Sequence, residues 1–488
     1  MNAECGSRLL NVFLGLQVSQ EVFPMIRSIF TGVSGMRNHQ ARMDVIGNNV
    51  ANVNTVGFKY SRVNFSDKVS QLISPSTAPG GSVDRGGVNV KQVGLGMSVA
   101  TVDTVQTQGT IQTTGKVTDL AIQGGGFFIL ADGPQRYFTR NGAFDFDRNG
   151  NLVSPGNGLK VMGYQAAERR DNAGETFFEI DPSAPIREIQ VPSGSFIPPR
   201  RTTEITFSGN LDQRISTVAP VNPNDPPNYF DTSTDVYDSF GNVHLITVRF
   251  THVAPGEWSW QVLDNDPTFV DPANGNPRPP LMVGASPPNP ANNNLVFDAN
   301  GMLADRPPPA ATPGGQYDAG SVNIGWLLPS GEIASATIFP NFGFEGKPQG
   351  ITQFGNESTA VAVDQNGFAK GDLTGLTVDK SGLVSGVYSN GRQRLLAQMA
   401  IATFANPGGL QKEGDNNFIK SNNSGDAVVR PPGLGDAGTL LAGSLENSNV
   451  DLAEQFSEMI LTQRGFQAAS RVITTSDEVL QELLNLKR

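Results

Sequence analysis

IRSIFTGVSGMRNHQARMDVIGNNVANV, from Ile26 to Val53, carries its apolar side chains at helical spacing. Ile29, Val33, Met36, Met43 and Val50 fall on one three-and-four stripe, with Gln40 and Gly47 as its gaps. That spacing predicts one amphipathic helix. It ends near GNNVAN (Gly47–Asn52), where Gly and repeated Asn favour caps and turns. A second stripe runs from about Val450 to Leu486 through Leu452, Phe456, Met459, Phe466, Ile473, Leu480 and Leu484. Gln463, Ser470 and Asp477 interrupt it. The second helix is expected to run to roughly 55 Å at the usual rise, longer than one compact domain covers. A repeat near 3.5 residues over several heptads predicts coiled-coil-like packing between helices. The polar gaps predict marginal pairing within one chain, completed by neighbouring copies.

Between these ends the chain reads as β structure. Its 488 residues are too many for one ordinary core, and 55 Gly with 33 Pro mark it as rich in turns. The expected fold class is mixed but mainly β: terminal helices form an inner domain, and two nested β-rich domains lie outside it. The predicted boundaries are 25–70 with 441–488 for the helical domain and its arm, 71–197 with 340–440 for the first β domain, and 198–339 for an inserted β domain. Pro-rich loops interrupt the insertion, since Pro cannot donate to a sheet ladder. Asn141-Gly142, Asn149-Gly150 and Phe240-Gly241-Asn242 are read as turns, the Asn-Gly pairs most strongly. The apolar run Leu395–Phe404 is read as a buried strand, with a helix as the alternative.

Residues 1–24 stand apart. Leu9–Val18 is the nearest approach to a signal-peptide core, but Asn11 and Gln17 break it and no small-residue cleavage site follows. Met25 stands where the organised pattern begins and is expected to be the true first residue, with 1–24 an extension from a mis-assigned start.

Charge and motifs exclude several classes of function. A net charge of −11 without basic clusters argues against a nucleic-acid surface. No run approaches the length needed to span a bilayer. The single cysteine, Cys5, precludes an intramolecular disulfide and a Cys-based zinc site. His39 lies in the first helix, while His244 and His252 fall in one predicted hairpin where they could meet across strands. No third ligand accompanies them, so surface or hairpin roles are the better reading. DFDRNG (Asp145–Gly150) begins like a calcium loop, yet Gly156 stands where the bidentate Glu belongs, so it is read as a β-turn. GGGF (Gly124–Phe127) lacks the Lys-Ser/Thr and the helix of a phosphate loop. No nucleophile, base and orienting group assemble, so neither enzymatic activity nor a cofactor is expected.

SIFTGVSGMRNHQARMDVIGNNVANVNTVGFK (Ser28–Lys59) resembles the N-terminal signature of the flagellar rod and hook axial protein family. Leu445–Arg488, with E-x-S-N-V-D-L and the Q-R-x-F-Q of Gln463–Gln467, is similar to its C-terminal signature. The motif positions are Gly47, Asn48, Asn49, Ala51, Asn52, Gly57, Phe58 and Lys59 at one end and Asn449, Val450 and Asp451 at the other. VGLGMSV, LAIQGGGFFIL, YFTRNGAFDFDRNGNLVSPGNG and TDVYDSFGNVHLITVRF extend the likeness inward, towards the hook-forming branch. The resemblance implies a self-assembling structural subunit of the bacterial flagellar hook. Its homopolymer would be a hollow curved tube that passes torque from rod to filament as a universal joint. The implied partners are further copies of the chain, the distal rod, a hook cap, hook–filament junction proteins and the flagellar type III export apparatus. The implied location is the hook and basal body, extracellular after export. Some members are crosslinked through a Cys in the outer domains; none occurs beyond Met25, so no such link is expected. The terminal helices are expected to be frayed before assembly. The competing readings are a long distal-rod-type axial protein and, in another class, a secreted β-rich adhesin.

Overall fold

The computed structural model describes residues 4–78, 86–170, 176–192, 194–221, 227–263, 269–270, 294–304, 322–328, 331–344 and 346–486, with side chains in the first helix from Arg27 onward. The Pro-rich segments around 271–293 and 305–321 lie outside the described residues. The chain forms two compact units, Met1–Ser193 with Leu376–Gly386 and Arg394–Arg488, and Gly194–Gly375 with Val387–Gln393. The second is carried within the sequence of the first.

In the first unit, helix α1 spans Glu4–Ala51 and helix α2 spans Leu452–Leu486. The start expected near Ile26 is therefore too late: the backbone is helical through position 25 without a break. A helix already nucleated propagates through residues whose own pattern would not start one. The segment expected as an extended arm supplies Ser61–Asp67, which pairs antiparallel with Met97–Thr104 as a two-stranded ribbon. A sheet then runs in the order Gln393–Met399, Lys160–Gln165, Phe127–Asp132, Gln135–Thr139, Asn417–Ile419, Gln411–Gly414. Phe128 and Leu130 point into one cluster with Val161, Ala397 and Met399; Phe127, Ile129 and Ala131 point into another with Phe138, Met162 and Phe418. A strand covered on both faces needs no polar alternation, which explains the unbroken apolar run FFILA. Residues 395–404 also form strands, Gln393–Met399 and Ile401–Thr403, rather than a helix.

The second unit contains two sheets that share one core. Tyr229–Tyr237, Val243–Ala254, Glu257–Leu263 and Asn294–Val296 form one. In the other, Glu204–Asp212 lies parallel to Ile333–Asn341 and Ile351–Phe354 and antiparallel to Val361–Gln365. The boundary expected at 339 thus falls inside a strand, and the unit continues to Gly375. Its start also moves, from 198 to 194. The physical reason is that Glu204–Asp212 takes partners from 351–365, a pairing that alternation alone does not reveal. Phe207, Phe250, Trp260 and Phe342 fill the centre.

His244 and His252 do not meet across a hairpin. Both lie on Val243–Ala254 at inward-facing positions, eight residues apart. Each ring stacks on an indole, His244 on Trp326 at 4.1 Å and His252 on Trp258 at 4.6 Å. The Asn141-Gly142 turn is also absent: the Gly142 carbonyl accepts from Leu120 N–H at 3.0 Å in an extended segment. Asn149-Gly150 and Phe240-Gly241-Asn242 do turn, between paired strands.

Those two turns follow a device used four times among the described residues: Asp147, Asp238, Asp298 and Asp379 each precede, by three residues, a Gly with φ of 81°, 86°, 76° and 74°. Each carboxylate accepts the backbone N–H four residues on, from Asn151, Asn242, Met302 and Leu383, at 2.7–2.9 Å. The calcium-loop resemblance of DFDRNG is accounted for: both Asp147 oxygens are engaged by Asn149 and Asn151. Bonds from Asn151 hold the Asp147 carboxyl below its ordinary 3.8, and bonds led by Met302 N–H do the same for Asp298. Burial alone would raise Asp238, but donors from Asn242, His244 and Phe240 outweigh it and hold it low. A carboxylate depressed by folding stabilises the fold fully above 3.8, and that contribution is lost as pH falls through the folded value. The melting temperature is therefore expected to stay level from neutrality to about pH 5 and to fall steeply below 3.8, less so with Asp238→Asn. A flat profile into strong acid would contradict this.

Candidate functional site

The two helices pair antiparallel along a seam of mostly small and polar side chains. Ser28 Oγ meets Ser476 Oγ at 2.9 Å, Arg42 pairs with Glu458 at 3.0 Å, and Asn49 Nδ2 donates to Gln455 Oε1 at 2.9 Å. Between them the backbones come close. A Cβ on Gly32 would lie 2.9 Å from Ile473, one on Gly35 3.3 Å from Ala469, and one on Gly465 2.7 Å from the His39 ring. The α1 seam thus reads Ser28, Gly32, Gly35, His39, Arg42, Ile46, Asn49, and α2 answers with Gln455, Glu458, Thr462, Gly465, Ala469, Ser476, with the Ile473 side chain reaching in against Gly32. Burial and the neighbouring Arg42 both lower the His39 pKa, which favours its neutral ring in the seam.

This seam sits one residue before the apolar stripe in both helices. One residue is a turn of about 100°, and in an antiparallel pair that step carries both stripes to the same side of the seam. Ile29, Val33, Met36, Met43 and Val50 from α1, with Met459, Phe466, Ile473 and Leu480 from α2, therefore form one composite apolar face. Each of them is half-buried. Leu452, Phe456 and Leu484, expected in the same packing, are 40%, 50% and 68% exposed. The polar gaps Gln40, Gln463 and Asp477 are exposed, and a Cβ on Gly47 would touch nothing within 4 Å. The opposite side of α1 is occupied by the ribbon: Asn38 donates to the Met97 carbonyl at 2.6 Å, and Met97 N–H reaches Ser34 Oγ at 3.4 Å. Phe65 of the ribbon lies edge-on to His39, with the Arg42 guanidinium over it at 5.8 Å.

The family-motif residues gather where the helices meet the sheet. Lys59 Nζ donates to Glu446 Oε1 and to the Thr107 carbonyl, both at 2.6 Å, and the Lys59 and Glu446 side chains are fully buried. Arg140 Nη1 reaches the other Glu446 oxygen at 3.3 Å, and its Nη2 donates to the Gly124 carbonyl at 2.8 Å. Burial lowers the pKa of both cations, while Glu446 beside them favours their charged forms. Gly57, at φ 70°, donates to the Glu446 carbonyl at 2.7 Å, and a Cβ there would lie 2.6 Å from Asn141 N. Phe58 is buried beneath the Lys412 ammonium. Asn449 accepts from Tyr60 N–H and donates to the Val105 carbonyl, both at 2.9 Å. Asp451 caps α2 by accepting from Ala453 N–H at 2.8 Å. Asn49 exchanges two bonds with the Ser61 backbone, and Asn52 folds back on the Asn48 carbonyl. Ala51, Asn48 and Val50 complete the end of α1.

Sequence reasoning missed the seam itself, although small residues at 28, 32 and 35 and at 465 and 469 repeat at the same three-and-four spacing. It also missed Glu446 and Arg140, whose isolated charges carry no periodic signal. Among the described residues no group of His, Cys, Asp and Glu could hold a metal, and no helix is long and apolar enough to cross a membrane.

Four family models match the chain in order. They are the flagella basal body rod protein model over 29–59, the flagellar hook protein FlgE/F/G D1 domain over 121–210, the flagellar basal body protein FlaE D2 domain over 210–368, and the flagellar basal body rod FlgEFG protein C-terminal model over 441–486. The flagellar hook protein FlgE of Treponema pallidum is 44% identical over 95% of this chain and all of its own length. That of Borreliella burgdorferi is 41% identical over the same shares. The flagellar basal-body rod protein FlgG of Bacillus subtilis is 30% identical, again over 95% of this chain and its own full length.

Proposed function

This chain belongs to the flagellar hook protein FlgE family, and on that premise we propose that it polymerises through the composite apolar face of its terminal helix pair. It is a structural protein of the flagellar hook and basal body. The observation that carries the proposal is the uniform half-burial of the nine stripe residues on one side of a seam that is itself mostly polar and small, Ile46 and the inward-reaching Ile473 apart. Burial of apolar area stabilises by about 25 cal/mol per Å². A face repeated on every copy is therefore enough to close a tube. In this reading the helix pairs pack as coiled-coil-like layers on the inner wall, with the β units outside. The tube bends as copies slide, and transmits torque from rod to filament. Distal rod, hook cap and hook–filament junction proteins meet its ends, and the type III apparatus exports its subunits.

Deleting 452–488 removes one half of the face while leaving both β units. The truncated chain is expected to stay monomeric at concentrations where the full chain forms short curved tubes by negative-stain microscopy. Tubes from the truncated chain would overturn the proposal. A second reading, a straight rod-type axial subunit, is favoured by the full-length match to the Bacillus rod protein. Straight full-chain tubes would select it.

A further inference from the structure

The helix pair has a register problem that the small residues of its seam do not solve by themselves. Gly32, Gly35, Gly465 and Ala469 are small and similar, so among them a slide of a turn or two exchanges one close approach for another; Ser28–Ser476, Arg42–Glu458 and Asn49–Gln455 oppose the slide only once the helices have met. The apolar stripe repeats with the same period. The segments to be matched are also far apart in sequence: Lys59 and Glu446 are separated by 387 residues. Closing a loop of that length costs entropy before any seam contact forms.

Beside the seam lies a charge cluster that the assembly face does not use. Glu446 lies between two buried cations, Lys59 and Arg140, and it also accepts from Gly109 N–H at 2.8 Å. Arg140 follows the strand Gln135–Thr139, and Thr107, Gly109 and Gly124 lie in connecting segments of the same unit. The receiving site for Glu446 is thus made by Arg140, these connecting segments and the Lys59 segment, and none of the residues that bond its side chain lies in α2. Lys59 lies just beyond the end of α1 at Ala51, and Glu446 just before the start of α2 at Leu452.

We propose that Glu446, with Lys59 and Arg140, is a positioning clamp that closes on the β unit before the helices pair and selects the single register in which they do. The proposal rests on the helix pair being the polymerising element. A buried charge is tolerated only with its partners in place, so the clamp has one closed state. Once closed, it holds the end of α1 beside the start of α2, and pairing proceeds outward as a local zipper rather than as a search across the whole chain. A single polar match that fixes register among repeating contacts is a known use of buried polar groups.

The test uses the full-length chain as wild type, as Glu446→Gln, and as Lys59→Met with Glu446→Gln. The double variant restores the native net charge of the cluster. Hydrogen exchange at Gly57, Tyr60 and Gly109 reports the clamp, exchange in Phe127–Asp132 reports the sheet, and the critical concentration for polymerisation reports assembly. Glu446→Gln is expected to lower protection at the clamp amides about tenfold and to raise the critical concentration about tenfold, with the sheet unchanged. The double variant is expected to recover most of both. Unchanged clamp amides in Glu446→Gln would overturn the proposal. So would an equal loss of protection in Phe127–Asp132, which would make Glu446 a general core residue, or a double variant no better than the single. A wild-type chain that fails to polymerise would count against the assembly reading alone, since the clamp amides are read in the monomer.

Discussion

A chain carrying Met459→Asp and Phe466→Asp is expected to fold as a monomer with the sheets of both units intact and to fail to polymerise. Both positions lie on the composite face, half-buried at the edge of the seam. Within one chain the new carboxylates can still turn towards water. Between copies they would be enclosed without a partner, at a cost of about 3–5 kcal/mol for a buried unpaired charge. At about 1.4 kcal/mol per tenfold, even one such charge raises the critical concentration by about two to three and a half orders of magnitude. Leu461→Asp supplies the control. It lies one residue before the buried Thr462, on the opposite side of the seam, and is 68% exposed. Its effect is expected to stay within about 0.5 kcal/mol. Sedimentation of polymer against total chain concentration measures all three. Equal loss from Leu461→Asp would show that assembly does not depend on which side of the helix pair carries the charge.

The largest effect on folding is expected from Gly142→Val. A Cβ at Gly142 would overlap the Leu120 carbonyl oxygen, and the Phe128 ring edge stands 3.1 Å away. Neither can retreat. Leu120 N–H is bonded to the Gly142 carbonyl, and Leu120 and Phe128 are fully buried in one core cluster. Backbone must move against packed backbone, so the loss is expected in the exceptional class, about 4 kcal/mol or more. Gly156→Ala, with nothing within 4 Å of the new Cβ, is expected to be nearly neutral. Chemical denaturation of the two variants beside wild type measures the difference. A Gly142→Val chain as stable as Gly156→Ala would mean that the Leu120 segment is not held where it is described.

How much of this was legible beforehand depends on which physical rule each element obeys. The helices follow from a periodicity that any amphipathic pattern betrays, and α2 spans nearly the range expected. Their mutual face does not follow from it, because hydrophobic spacing reports where apolar side chains lie, not which side of a helix meets its own partner. Here the two differ by one residue. Ser28, Gly32 and Gly35 meet α2, whereas Ile29, Val33 and Met36 flank the contact. The boundary of the second unit was misplaced for a related reason. Glu204–Asp212 recruits Ile351–Phe354 and Val361–Gln365 from far along the chain, and pairing over that distance leaves no local trace. The Asn-Gly rule succeeded at 149–150, where paired strands flank the turn, and failed at 141–142. There glycine serves close approach to Leu120 instead of reversal. Gly57, Lys59 and Asn449 were singled out as motif positions, yet their common centre, Glu446, became visible only when both ends of the chain were brought together.

Because the composite face draws one edge from each end of the polypeptide, no fragment can present it. If the tube grows through this face, a chain released early by the ribosome, or one that loses its last helix to a protease, would offer half a surface and be turned away by the growing tip. Assembly would then inspect each arriving molecule for the presence of both its ends.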